Sequence, residues 1–132
     1  MRPFFFSTIL CLVTTCCFAQ TQSEMNKEAK VLYQEADKEL NAVYQKVLKE
    51  YNEDTAFIKN FKNAQRIWIQ FRDAEAEAMY PEREAGYYGT IHPVCWYSYM
   101  RDLTEERTAK LKVWLAGIPE ADACSGSVKI KD

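Results

Sequence analysis

The chain has 132 residues, with 17 Lys and Arg against 19 Asp and Glu, a net charge of −2. That length holds one domain, and the mildly acidic balance excludes the dense basic stripe that nucleic-acid binding needs. No internal repeat, low-complexity run or internal linker interrupts it.

Arg2 precedes an almost wholly apolar run over residues 4–13, followed by Thr14 to Ala19 with a small residue at the end. This pattern predicts a secretory signal over residues 1–19, cut after Ala19, and a domain over residues 20–132. A membrane span needs about 20 apolar residues, more than this run supplies. Lipid anchoring at Cys16 or Cys17 is the weaker variant, because Val13-Thr14-Thr15 is a poor version of the usual Leu-small-small-Cys signal. Export would be to the periplasm or the medium, with no transmembrane span in the mature chain. Loss of Arg2 leaves 16 basic against 19 acidic residues, a net charge of −3, which permits a basic partner. Of five cysteines, Cys11, Cys16 and Cys17 fall in the leader. Cys95 and Cys124 remain, and in an oxidising compartment they are most economically one disulfide tying the tail to the last helix. Such a closure is worth roughly 3–4 kcal/mol on the chain-entropy view. A reactive thiol, the competing reading, has no supporting cluster of partners.

Three helical patterns follow. Over residues 23–51 the apolar positions Met25, Ala29, Leu32, Ala36, Leu40, Val43, Val47 and Tyr51 recur at helical spacing, with Ser23 as N-cap. Residues 52–54 break this helix and cap the next. The second spans residues 55–79, with Phe57, Phe61, Ala64, Trp68 and Phe71 on its apolar face, and Pro81 stops it. Within it, Gln65, Trp68, Phe71 and Arg72 share one face. A guanidinium is rarely buried unless paired, so this face calls for polar groups from another helix. Residues 81–93 hold two glycines and two prolines and form the one substantial internal loop. The third helix spans residues 94–115, with Trp96, Tyr99, Met100, Leu103, Arg107, Leu111 and Trp114 near one face, and ends at Gly117 and Pro119. The fold class is all-α, a small bundle of two long antiparallel helices with a third across them.

Reaction chemistry is absent from the pattern. His92 and Cys95 are too few for a zinc site, which takes about four ligands when structural and three when catalytic; His92 reads as a surface loop residue. No Glu-x-x-His motif supports a di-iron site. Asp73 with Glu77 and Glu35 with Glu39 are carboxylates one turn apart, but on helices this rich in Lys and Glu they read as solvated. No phosphate loop, nucleophile elbow or serine triad occurs. The chain is not an enzyme on this reading, and no cofactor or metal is called for.

Most tyrosines sit at core spacing, where their hydroxyls reach the edge of a small core. Tyr87 and Tyr88 sit instead in the glycine-containing loop, where helix packing does not explain them. With Glu82 and Glu84 just before, they form an acidic, tyrosine-tipped loop suited to a basic cleft; an ordinary surface loop is the plain alternative.

Taken together, Met25-Asn26, Ala36-Asp37, Glu39-Leu40-Asn41, Tyr44, Ala64-Gln65-Arg66, Trp68-Ile69, Phe71-Arg72-Asp73-Ala74-Glu75, Leu103-Thr104, Arg107-Thr108 and Leu111 resemble the LprI-like lysozyme-inhibitor family, small exported or lipid-anchored bacterial proteins. The resemblance covers residues 23–115. Family members commonly carry cysteines where this chain has Glu28 and Ala76, whereas Cys95 and Cys124 match later family cysteines, so the resemblance implies the same bridge and fewer staples. The matched polar residues suggest a structural network in which Asn41, Gln65, Arg72 and Arg107 bridge the helices, with Asp37 or Asp73 as carboxylate; alternatively the two aspartates are solvated. The resemblance implies an exported protein whose partner is lysozyme or another basic envelope-active protein. Inhibition requires only that a saccharide cleft with two carboxylates be occluded. The expected blocking element is the loop carrying Glu82, Glu84, Tyr87, Tyr88 and His92. The rivals are a structural or adaptor protein of the cell envelope, and a peptidoglycan-binding module stacking Tyr87 and Tyr88 on sugars.

Overall fold

A computed structural model describes residues 4–120 and 123–131, with side chains from Thr21 onward. The secretory-signal and lipid-anchor expectations, with Cys11, Cys16 and Cys17, fall on side chains outside the described residues. Three helices follow in order, α1 (Phe4–Glu50), α2 (Thr55–Met79) and α3 (His92–Ala116). Among the described residues there is no strand beyond an isolated bridge between Ile118 and Ile130, and no helix long and apolar enough to cross a membrane.

The helix ends have identifiable causes. The Asp54 carboxylate accepts from the backbone N–H of Phe57 at 2.9 Å and opens α2. Tyr80 closes it by donating its N–H to Ala76 O at 3.0 Å, and Pro81 has no N–H to continue. Pro93 sits in the first turn of α3, where its missing donor costs nothing. Gly117 adopts φ 75° beyond the last turn; a Cβ there would lie 2.8 Å from Lys129 O. Ser23 is not a cap: α1 runs through it, since neither Pro nor Gly interrupts the segment.

Side-chain pairs give the helix directions. Tyr51 meets Phe57 at 4.7 Å and Tyr44 meets Phe61 at 5.3 Å between ring centroids, so α2 returns antiparallel to α1. Tyr33 meets Tyr97 at 6.0 Å and Tyr51 meets Trp114 at 6.1 Å, so α3 lies alongside α1 and parallel to it, not across the pair. The backbones of α1 and α3 approach most closely. Their buried residues include the short Ala29, Ala36, Thr104 and Thr108. The threonine hydroxyls donate to Met100 O at 2.7 Å and Thr104 O at 2.9 Å, one turn back on their own helix, and so are buried without an unmet donor. Leu40, Val43, Val47, Tyr51, Phe57, Phe61 and Leu111 make the apolar core. Met25, Leu32, Ala64 and Phe71, expected on apolar faces, are exposed. The inward face of α2 is instead Phe57, Phe61, Gln65, Arg72 and Ala76, rotated away from the Phe71 side.

The expected Cys95–Cys124 disulfide does not form. Cys95 lies in the first turn of α3, and the tail docks past its other end, about 30 Å away at 1.5 Å per helical residue; a disulfide needs Cα atoms within about 7 Å. Backbone and side-chain hydrogen bonds hold the tail instead. Ile118 donates its N–H to Lys129 O and accepts from Lys131 N, at 3.1 and 3.0 Å. Buried Tyr51 donates its hydroxyl to Trp114 O at 2.8 Å and accepts from Lys129 N at 2.9 Å. Lys129 Nζ donates to Glu50 O and Lys131 Nζ to Leu115 O, both at 2.6 Å, placing cations on carbonyls at helix C-termini. Replacing Tyr51 by Phe leaves two part-buried backbone groups, Trp114 O and Lys129 N, without that hydroxyl. Urea unfolding of Tyr51→Phe should show a loss of about 1–3 kcal/mol, with faster amide exchange in the tail; unchanged tail protection would contradict this anchoring.

Candidate functional site

On the inward face of α2, Arg72 is only 8% exposed. Its Nη1 lies 3.3 Å from Asp37 Oδ1 on α1, and its Nε and Nη2 lie 2.9 and 2.8 Å from Asp73 Oδ1. The guanidinium carbon also sits 5.4 Å from the centre of the Trp68 ring and 5.9 Å from that of Tyr33. From α3, Arg107 places its guanidinium 5.7 Å from the same Trp68 ring and donates Nε to Gln65 Oε1 at 3.0 Å. Trp68 thus receives one cation from its own helix and one from α3, each oriented by a hydrogen bond. Asn41 stands apart: it is exposed, and its amide reaches only Asp37 one turn back on α1, at 3.3 Å. Asp37 and Asp73 are half-exposed acceptors for Arg72, so neither is merely solvated.

The loop over residues 80–91 is built on rings. Tyr88 donates its hydroxyl to Pro81 O at 2.7 Å, closing the loop on itself. Its ring stacks on His92 at 4.7 Å, and Tyr80 contacts Tyr88, His92, Trp96 and Tyr99 between 5.3 and 6.3 Å. Gly86 and Gly89 supply the positive φ of 85° and 70° that the two tight turns require. His92 is therefore the first residue of α3, part of this ring cluster, with Nε2 buried and without a hydrogen-bond partner. Tyr88 is half-buried in the same cluster. Glu82, Glu84 and Tyr87 face solvent, Tyr87 at 63% exposure with Arg83 5.8 Å from its ring centre. A shallow cavity of about 280 Å³ lies among these residues. Among the described residues no group of three or more His, Cys, Asp or Glu is placed to hold a metal ion.

The family model described as lysozyme inhibitor LprI matches residues 16–111, taking in most of α1, all of α2, the loop and α3 as far as Leu111. The chain belongs to the LprI lysozyme-inhibitor family. No curated protein and no solved structure matches it. As a member of a lysozyme-inhibitor family this LprI chain is a binding protein and not an enzyme.

Two features of this LprI chain escape a reading of residue spacing. The double engagement of Trp68 joins residues 42 apart in Gln65 and Arg107, a distance over which helical periodicity is silent. The ring base under the loop draws Tyr80, Trp96 and Tyr99 from two helix ends that only the antiparallel return of α3 on α2 brings together.

Burial raises the phenol pKa of Tyr33, Tyr44, Tyr80 and Tyr99; Arg72 partly opposes this at Tyr33, and the Glu75 carboxylate adds to it at Tyr99. Burial also lowers the pKa of Arg107. An unfolded tyrosine ionises near pH 10. Above that, the unfolded chain has released protons that the folded one still holds, so stability falls as pH rises. The stability these phenols contribute should be complete below about pH 10 and decline above it, seen as a falling Tm alongside late tyrosinate absorbance. Arg72→Ala should cost about 2–3 kcal/mol in urea unfolding, the low end for a buried pair because both aspartates are half-exposed. Arg72→Lys, which keeps charge but loses the planar fork, should recover only part of it. An unshifted Arg72→Ala midpoint would contradict the network.

Proposed function

We propose that this chain is exported and inhibits a cationic lysozyme by inserting the loop over residues 82–88 into the saccharide cleft. Family membership supports lysozyme as the target. The observation that carries the site is the loop's pre-ordering: the Tyr88–Pro81 hydrogen bond and the ring base beneath leave Glu82, Arg83, Glu84 and Tyr87 displayed on a fixed turn. A binding loop already held in shape loses little conformational entropy on docking.

The charges have separate roles in this reading. Glu82 and Glu84 meet the basic rim of the enzyme and speed encounter, an effect that salt screens. Tyr87 offers a flat ring where a sugar would lie, and Arg83 beside it brings a cation toward the two cleft carboxylates. Blocking needs no chemistry from the inhibitor, in keeping with its family. The leader pattern over residues 1–19 supports delivery to the compartment where lysozyme acts.

Lysis of a peptidoglycan suspension by a cationic lysozyme tests this. The protein should slow lysis stoichiometrically and less so as salt rises. Tyr87→Ala should weaken inhibition about tenfold or more, the loss expected of an aromatic anchor, without changing the fold. Glu82→Gln with Glu84→Gln should mainly reduce the salt dependence. Full inhibition by Tyr87→Ala would assign blocking to another surface. No inhibition of lysozymes of more than one class by folded protein would remove lysozyme as the target.

A further inference from the structure

Opposite in character to its polar inward face, α2 carries a second apolar line facing solvent. Ala64, Ile67, Phe71, Ala74 and Ala78 recur at alternating steps of three and four, the spacing of a coiled-coil seam. All five are exposed, Ile67 at 52% and Phe71 at 54%. No element of the described chain covers them. The bulky pair sits at the middle and the alanines toward the ends, so a facing helix meets side chains at the centre and close backbone outward.

Charge along α2 is polarised about that centre. Lys59, Lys62 and Arg66 lie in the first half; Asp73, Glu75 and Glu77 lie in the second, where the single cation, Arg72, is turned inward. A parallel partner helix of like sequence would set like charges together. An antiparallel copy does the reverse: with a two-fold axis between Ile67 and Phe71, each Ile67 faces the other chain's Phe71 and each Ala64 faces Ala74. Lys59 and Glu77, on the same flank of the seam, then face each other across the chains. The helix dipoles also oppose favourably.

We infer that the Ala64–Ile67–Phe71–Ala74–Ala78 stripe is the contact of a two-fold symmetric dimer of this chain, formed by antiparallel packing of α2 on α2. The stripe from Ala64 to Ala74 and the flanking charge are self-complementary, as an isologous interface requires, and Ala78 faces the exposed Asn60 of the other chain at each end of the seam. One helix pair buries less surface than an obligate dimer needs, so the association is reversible and depends on concentration. The loop at residues 80–91 begins where α2 ends, so the dimer carries its two loops at opposite ends, free to engage two targets.

Sedimentation velocity of the purified protein, from micromolar to millimolar, tests this. A monomer–dimer equilibrium is expected. Phe71→Glu, at an exposed position, should weaken it at least about tenfold with helical circular dichroism unchanged. Lys59→Glu and Glu77→Lys should each weaken it, and the double variant should restore it, which only the antiparallel arrangement provides. A monomer throughout the range would overturn the inference, as would a dimer that Phe71→Glu leaves intact or a double swap that fails to restore pairing. A chain that stays monomeric but loses lysozyme inhibition with Phe71→Glu would make the stripe a lysozyme contact instead, and would also overturn it.

Discussion

Two guanidinium groups converge on one indole at the centre of this bundle, and the placement of α2 depends on that convergence. Arg72 sits almost wholly inside, its charge answered by Asp37 across the helix pair and by Asp73 beside it. Arg107 comes to the same Trp68 from α3 and is held there by Gln65. Arg72 without its carboxylates would be a buried, uncompensated charge, and Arg107 without Gln65 would lose the hydrogen bond that orients it, so the rotation of α2 that satisfies both is preferred. An oily face would tolerate several rotations; this one does not.

That rotation explains what could be read from residue order alone and what could not. Breaks between helices were plain, because Asp54, Pro81 and Gly117 act through local backbone chemistry that needs no knowledge of the fold. Membership of an all-α class followed from apolar spacing in the same way. The faces of α2 were harder. Arg72 takes the interior that its need for a partner implies, because Asp37, 35 positions earlier, is there to meet it; Phe71, with the greater apolar area and expected on the same face, is exposed. Thr104 and Thr108 do not read as core residues from the sequence, since a hydroxyl counts as polar until its helix supplies the acceptor. The disulfide expectation rested on compartment, residue count and a resemblance in cysteine positions, none of which contains the length of α3 that separates Cys95 from the tail.

The candidate site divides along similar lines. Glu82, Glu84 and Tyr87 stood out as loop residues that core packing did not require, and they are exposed in the fold. Tyr88 and His92 were grouped with them, but they stack on each other and belong to the ring base that holds the loop. The exposed residues proposed as contacts and the residues that support them are neighbours in the chain and differ in which way they turn. With α2 set by the arginine network, its end at Tyr80 fixes where this loop leaves the bundle, and so links the polar core to the surface proposed to meet lysozyme.

Amide hydrogen exchange of the protein with and without a saturating cationic lysozyme tests that link most directly. Added protection is expected over residues 82–88, with the helices of the core unchanged. Protection confined to a helix face, with residues 82–88 exchanging as they do in the free protein, would contradict it.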